Sequence, residues 1–368
     1  FNVSFTEPYL FGRPTLLGTD LFAMKRRWFT DYTENRQGAA IRLGRRLRWP
    51  DNYFRIYASY RLERNKFDDF SQYFERANSY ANTYDSLFIT IDTVPNPGNP
   101  DIIDTSFARV NTTIIGTSHP GSLLRYGERW NSASRFSLTI TRDSRNLPEF
   151  ATQGSLVSYT ISQTGGPLGG FWNYTKHSIS AAKFFPLFWR FAIAAKVQFG
   201  AITSPYASDS TILISDRFIP GGTAYDGIVR GYEDGSLTPD TIVTHSDTTF
   251  GYTENTKTGE TTDSIRVDPP FRIRVRGNYM LVSNIELQFP IAEQSIYGLL
   301  FFDAGNSWRS FEHIKPFRYL YRGWGFGIRV LVPGIGTIGG DLARPLDVPP
   351  NGDGMGWKFH FQIGTTFR

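Results

Sequence analysis

The stretch FRIYASYRL, Phe54 to Leu62, decides the architecture. Phe54, Ile56, Ala58, Tyr60 and Leu62 share one parity, and Arg55, Tyr57, Ser59 and Arg61 share the other. Side chains of an extended chain point alternately to two faces, so this period of two describes a strand between two different media. WRFAIAAKVQF repeats the split, with Trp189, Phe191, Ile193, Ala195, Val197 and Phe199 opposing Arg190, Lys196 and Gln198. In MLVSNIELQF, Leu281, Ile285, Leu287 and Phe289 oppose Asn284, Glu286 and Gln288. Each segment runs about ten residues, the length of a tilted strand that crosses a bilayer.

Along the rest of the chain the pattern predicts about thirteen strands, near 1–7, 14–30, 38–48, 53–64, 133–145, 154–163, 171–184, 189–201, 277–290, 297–304, 321–332, 337–346 and 356–368. Short links (PDN near Pro50, PL near Pro186, AEQS near Glu293, GIG near Gly334) alternate with long ones at about 64–132 and 201–276. Periplasmic turns and extracellular loops of an all-β transmembrane antiparallel barrel alternate in this way. A soluble sandwich or propeller shares the strand pattern, and the loop asymmetry weighs against it. Bacterial single-chain barrels have even strand numbers, so an odd count beginning at Phe1 suggests N-terminal strands missing from a mature or trimmed chain.

Composition narrows the function classes. Among 368 residues there is no cysteine, which removes disulfides and thiolate metal sites, and 16% are aromatic, enough for interfacial girdles. The net charge of +5 is dispersed, and no basic block with interleaved aromatics points to nucleic acid. No eighteen-residue apolar run offers a transmembrane helix. No repeat of domain-like period occurs, and the one low-complexity patch, VPNPGNPD, lies in a long loop.

His119, His177, His245, His313 and His360 lack metal-ligand spacing; His177 and His360 fall in strands, where a lumen-facing imidazole is the ordinary explanation. HSD at His245 brings triad residue types together, but adjacency does not produce triad geometry. GWGFG, Gly323 to Gly327, precedes no helix and reads as a strand thinned where a lumen is crowded, not as a phosphate loop. No catalytic residue, metal or cofactor is expected.

One stretch stands apart. YDGIVRGYEDG, Tyr225 to Gly235, sets an arginine among glycines, within roughly seventy residues too polar and turn-rich for ordinary strand. Guanidinium is a planar fork of five donors that suits a fixed carboxylate partner. Alternation points Glu286 inward, and also Asp303, opposite Leu300 and Phe302, which sets two carboxylates on the inner faces of adjacent strands, a bidentate partner of the kind a guanidinium takes.

Several motifs together resemble the BamA-type outer-membrane β-barrel assembly factors, across essentially the whole chain. VSFTEPYLFGRP resembles that family's turn between its fourth and fifth strands. TRDSRNLPEFATQG, Thr141 to Gly154, resembles its DTRDNPLFPTxG turn, and FFDAGNSW, Phe301 to Trp308, its FxDxGxxW strand. RFIPGGTAYDGIVRGYEDG is similar to its sixth extracellular loop, whose VRGF or VRGY hallmark falls here on Val229, Arg230, Gly231 and Tyr232. FHFQIGTTF is similar to its last strand.

The resemblance implies a barrel of about sixteen strands with Phe1 at about the fourth, so that residues 1–368 form a partial C-terminal barrel domain without POTRA domains. It implies that the sixth loop, about 202–276, folds into the lumen and sets Arg230 against the acidic residues of the twelfth and thirteenth strands. The terminal strand carries Trp357, Phe359, Phe361, Ile363 and Phe367 on one face, and Lys358, His360, Gln362, Gly364 and Thr366 on the other. In the family this strand closes a weak lateral seam and its last aromatic is a sorting signal, which implicates Phe359, Phe361, Gly364 and Phe367; Arg368 after Phe367 departs from chains that end on the aromatic.

The implied function is insertion of client barrels into the outer membrane of a Gram-negative bacterium, without ATP, by strand templating at the seam in a locally thinned bilayer. The implied partners are the lipid bilayer, unfolded outer-membrane proteins and accessory lipoproteins. A two-partner secretion pore, a TamA-like factor, an organelle relative and a passive porin stand as alternatives.

Overall fold

A strand with one apolar and one polar face persists in a membrane only where neighbouring strands pair all its backbone groups. The structure, a computed structural model, describes residues 1–28, 31–71, 79–80, 91–96, 99–107, 117–118, 127, 129–205, 211–243, 248–255, 261–267, 271–274, 276–292, 295–314, 319–333, 336–348 and 354–363. Thirteen of its strands pair in this way: β1 (Asn2–Glu7), β2 (Thr15–Trp28), β3 (Tyr32–Arg46), β4 (Phe54–Asp68), β5 (Asn131–Asp143), β6 (Gly154–Thr164), β7 (Tyr174–Pro186), β8 (Ala192–Thr203), β9 (Tyr279–Ala292), β10 (Ile296–Trp308), β11 (Tyr321–Val332), β12 (Gly336–Pro345) and β13 (Lys358–Ile363). Each bonds antiparallel to the next in chain order, and the sheet is not closed, with β1 and β13 at its two ends.

The two faces divide as the alternation requires. Leu62, Ile285 and Phe361 are 54%, 50% and 57% exposed on the outer face, while Glu63, Asn284, Glu286 and Gln362 beside them are buried on the inner one. Outward apolar exposure is the stable arrangement when the surrounding medium is hydrocarbon. The inner wall of β5 and β6 is a hydroxyl ladder, with Ser137–Ser162 at 2.8 Å, Thr139–Thr160 at 2.9 Å and Thr141–Ser158 at 3.1 Å.

The apolar core lies inside the lumen. Trp172, Tyr174, Ile202, Phe218, Val229, Tyr232, Leu237 and Val282 form one buried cluster in which residues 211–239 of the sixth loop pack on inward-facing strand residues. At the short-turn end, the β5–β6 turn reaches across beneath the sheet: Phe150 stacks on Tyr297 of β10 with centroids 3.6 Å apart, and Thr337 of β12 donates to Glu149 at 2.9 Å.

The long loops depart from the turn-rich reading, because they contain strands. Ile91–Asn96, Asn99–Phe107, Thr248–Asn255 and Thr261–Val267 form a four-stranded sheet shared between the two loops, and Asp240–Val243 pairs with Phe271–Arg274. Polar strands that pair with one another carry no apolar alternation by which a sequence reveals them.

Ile285 occupies the middle of β9 on the outer face. Ile285→Lys is expected to destabilise the vesicle-inserted barrel by about 2–4 kcal/mol. Denaturant unfolding in liposomes, followed by tryptophan fluorescence, measures this; an unchanged midpoint overturns the outward assignment.

Candidate functional site

The sixth loop is shaped by its own backbone bonds before it meets the wall. Gly222 and Val229 exchange N–H···O=C bonds at 3.0 and 3.1 Å, and the Leu237 N–H donates to the Pro220 carbonyl at 3.0 Å. This folded segment presents Arg230 to the inner faces of β9–β13. Gly231 follows at φ +94°, a conformation costly for any side chain, and a Cβ there would sit 2.9 Å from the Arg344 carbonyl carbon. The turn lets the Gly231 N–H donate to His360 Nε2 at 3.0 Å.

Arg230 is completely buried. Its Nε and Nη2 donate to the two oxygens of Asp303 at 2.7 and 2.9 Å, and its own backbone N–H donates to Asp303 Oδ2 at 2.9 Å. Nη1 lies 2.8 Å from Glu286 Oε1, an ion pair off the hydrogen-bond direction, and 3.6 Å from Asp341 Oδ2. The Phe301 ring lies under the guanidinium, its centroid 3.5 Å from Cζ. Asn284 donates 2.8 Å bonds to both Asp303 Oδ1 and the Ile228 carbonyl, which ties the neighbouring loop backbone to the same carboxylate.

The resemblance sets Arg230 against Glu286 and Asp303, and the structure brings the three together. No sequence motif marks the rest of the cluster. Arg329 on β11 donates to both oxygens of Asp341 on β12, at 2.7 and 2.8 Å, and to Gln362 on β13 at 2.7 Å. Val229 is buried in the lumen core. The Tyr232 hydroxyl donates to the Arg322 carbonyl at 2.7 Å. Phe359 and Phe361 project from the outer face of β13, while Gly364 and Phe367 lie outside the described residues.

Residues Gly323, Gly325 and Gly327 all face the lumen. A Cβ at Gly323 would lie 2.1 Å from the Arg230 carbonyl oxygen, and one at Gly327 would lie 1.9 Å from Asp341 Oδ1. The thinned strand is therefore what allows loop and wall to approach this closely.

A second contact, which no sequence motif marks, holds the same loop on the opposite wall. Asp216, in the short turn Ile214–Asp216, accepts hydrogen bonds from Arg135 on β5 and Tyr174 on β7. Lys176 donates to its carbonyl at 2.8 Å, and Arg36 of β3 lies 3.8 Å from its carboxylate. Ser215 donates to Glu34 at 3.0 Å. Burial raises the carboxyl pKa of Asp216, but the Arg135, Arg36 and Lys176 charges outweigh it and hold the group well below the usual carboxylate range.

The histidines separate. His360 points inward as expected. His177 is a correction: Tyr174 and Lys176 take the inner parity of β7, so His177 faces outward, where its Nδ1 shares a 2.9 Å hydrogen bond with the Tyr159 hydroxyl. His119 and His245 lie outside the described residues, and His313 contacts Ser310 in the β10–β11 loop.

An antiparallel wall that is apolar outside and ionic inside, with a long loop returned against its inner face, defines a transmembrane-type β-barrel of the occluded kind. The chain belongs to the Omp85 superfamily, whose domain matches residues 1–367. Its fold is similar to the crystal structure of BamA from Haemophilus ducreyi lacking POTRA domains 1–3, with a TM-score of 0.66 and 19% identity over 98% of this chain and 60% of that one. The chain thus spans about 60% of the length of that structure. CdiB from Acinetobacter baumannii is also similar, with a TM-score of 0.46 and 11% identity over 98% of this chain and 48% of that one. No curated protein matches the chain in sequence.

Removing one member of a shielded ion cluster strands the others, at a cost of about 3–5 kcal/mol. Arg230→Ala is therefore expected to lower the denaturant midpoint and open the loop to protease, and Arg230→Lys, which lacks the fork, to recover only part; unchanged behaviour in both variants overturns the assignment. Because the Asp216 pKa is depressed in the folded protein, its stabilisation is full above the unfolded value of about 4 and is lost as pH falls through the folded value. Acidification should loosen the loop in the wild type and have little further effect in Asp216→Asn, as read by limited proteolysis with an acid protease.

Proposed function

We propose that the chain is the barrel of an outer-membrane protein assembly factor of a Gram-negative bacterium, which inserts client β-barrels by strand templating. The observation that carries this reading is the sixth loop packed in the lumen and pinned by the Arg230 cluster. A lumen occupied by the protein's own loop leaves the edge of the wall, not the pore, as the working surface.

An exposed strand edge is a template on which an extended segment gains backbone hydrogen bonds before it meets hydrocarbon. In this reading Arg230 with Glu286 and Asp303 locks the loop, supported by Val229, Gly231 and Tyr232. The strand bearing Phe359, Phe361, Gly364 and Phe367 supplies one side of the seam and the sorting signal. The full-length protein would add POTRA domains, the remaining strands of a barrel of about sixteen and accessory lipoproteins. Templating needs no catalytic residue, since pairing and burial drive it. A protein-translocating or passive pore is the second reading, favoured by the hydroxyl-lined inner wall of β5 and β6.

The test is reconstitution of the full-length protein with its lipoproteins in liposomes, with folding of a denatured outer-membrane protein followed by protease protection. Acceleration that disappears when the first barrel strand is crosslinked to β13 is the expected result. No acceleration, together with steady ion conductance, moves the assignment to the pore.

A further inference from the structure

The outer face of β2–β5 changes character row by row along the paired register. Leu17, Leu43, Ala58 and Leu138 make one row, and Thr19, Ile41, Tyr60 and Phe136 the next. Then come Leu21, Ala39, Leu62 and Ser134, followed by Ala23, Gln37, Arg64 and Ser132. Lys25, Asn35 and Lys66 lie beyond. The apolar band thus ends at the Arg64 row, on the side of the long loops. Trp130, an interfacial residue type, flanks it, with the Arg64 guanidinium carbon over its ring at 4.7 Å from the centroid.

A cavity of about 550 Å³ opens at this boundary, lined by residues 37–38, 62–64 and 132–134, among them Glu63, and by the β6–β7 turn at 168–170. Gln37 Oε1 accepts from Arg64 Nε and Nη2 at 3.2 and 2.9 Å, which orients the fork without neutralising it. No described carboxylate pairs with Arg64. Asp68 is engaged by Lys66 at 3.4 Å and Asn35 at 2.9 Å, and Asp69 by Lys25 at 3.7 Å. Glu63 takes the inner parity, where Arg36 and Arg135 lie 3.8 Å from it.

We propose that this cavity binds the phosphate-bearing headgroup of an outer-leaflet lipid, with Arg64 and Ser132 on the phosphate and Leu62 beside the first acyl methylenes; the Ser134 hydroxyl is held by Tyr60 at 2.8 Å. Arginine is suited to planar, bidentate recognition of phosphate, and serine hydroxyls add donors. The bilayer supplies the occupant, because the site faces the lipid at headgroup depth. The inference rests on the reading of the barrel as membrane-spanning, and it is independent of whether the barrel assembles clients.

The experiment is native mass spectrometry of the full-length protein in detergent, titrated separately with bisphosphorylated lipid A, with its dephosphorylated form and with inorganic phosphate. Retention of the phosphorylated lipid, at least about tenfold weaker for the dephosphorylated form and for Arg64→Gln, is the expected result. Arg64→Lys should restore part of the binding, and heat-modifiable migration should stay intact in both variants, since Arg64 lies outside the packed lumen. Equal retention of the dephosphorylated lipid, or no effect of Arg64→Gln, overturns the proposal. Inorganic phosphate binding as tightly as the lipid shows an adventitious anion only. The client-assembly assay, run on the same variants, separates failure here from failure of the insertase reading.

Discussion

A fully buried guanidinium, that of Arg230, is the constraint around which the rest is arranged. Taking such a charge out of water costs several kcal/mol, and only close, well-directed partners recover it. Asp303 does most of this, since it accepts from the Arg230 side chain and from the Arg230 backbone. The surroundings are close to charge balance. Glu286, Asp303 and Asp341 face Arg230, Arg329 and Lys196, the last buried on β8 in register with Asn284 beside Glu286. The inner face of β11 is glycine at three successive inward positions because this cluster needs the space a side chain would fill. Its outer face keeps Trp324, Phe326 and Ile328, so the strand loses bulk on one side only.

The two loop contacts make the sixth loop a strut instead of a flap. One end bonds to β3, β5 and β7 through Ser215 and Asp216, and the other to β9–β13 through Arg230 and Gly231. The Phe218–Val229–Leu237 region fills the space between with apolar contacts. Ionic ends give direction and register, whereas the apolar middle supplies most of the burial.

Much of this architecture was legible because a strand's period is two and admits no drift. Parity alone put Glu286 and Asp303 inward. It failed where both faces are polar: β3 begins at Tyr32, earlier than position 38, because Thr33, Asn35 and Gln37 lie above the apolar band and Glu34 and Arg36 face the lumen. Asp341, Arg329 and Gln362 also have inward parity, but parity does not say which inward residues meet. Asp216 was illegible for a stronger reason, since Arg36, Arg135 and Tyr174 are far from it in sequence and gather around it only after the wall has curved. His177 departs from the expectation that a strand imidazole faces the lumen, because an outward tyrosine hydroxyl satisfies it equally.

The geometry of β13 ties the proposed work surface to the loop. His360 accepts from the Gly231 N–H, and Gln362 accepts from Arg329, which grips Asp341 beside Arg230. Among the described residues β13 pairs with β12 over six positions, and these side-chain bonds add to that pairing in fixing its place. If client strands pair at that edge, as proposed, any displacement of β13 must strain or break contacts that also hold the loop. Coupling of this kind is reciprocal: whatever loosens Arg230 frees the edge, and whatever engages the edge biases the loop. Under that proposal the buried arginine does more than plug a lumen, because the state of β13 then depends on a residue more than a hundred positions earlier.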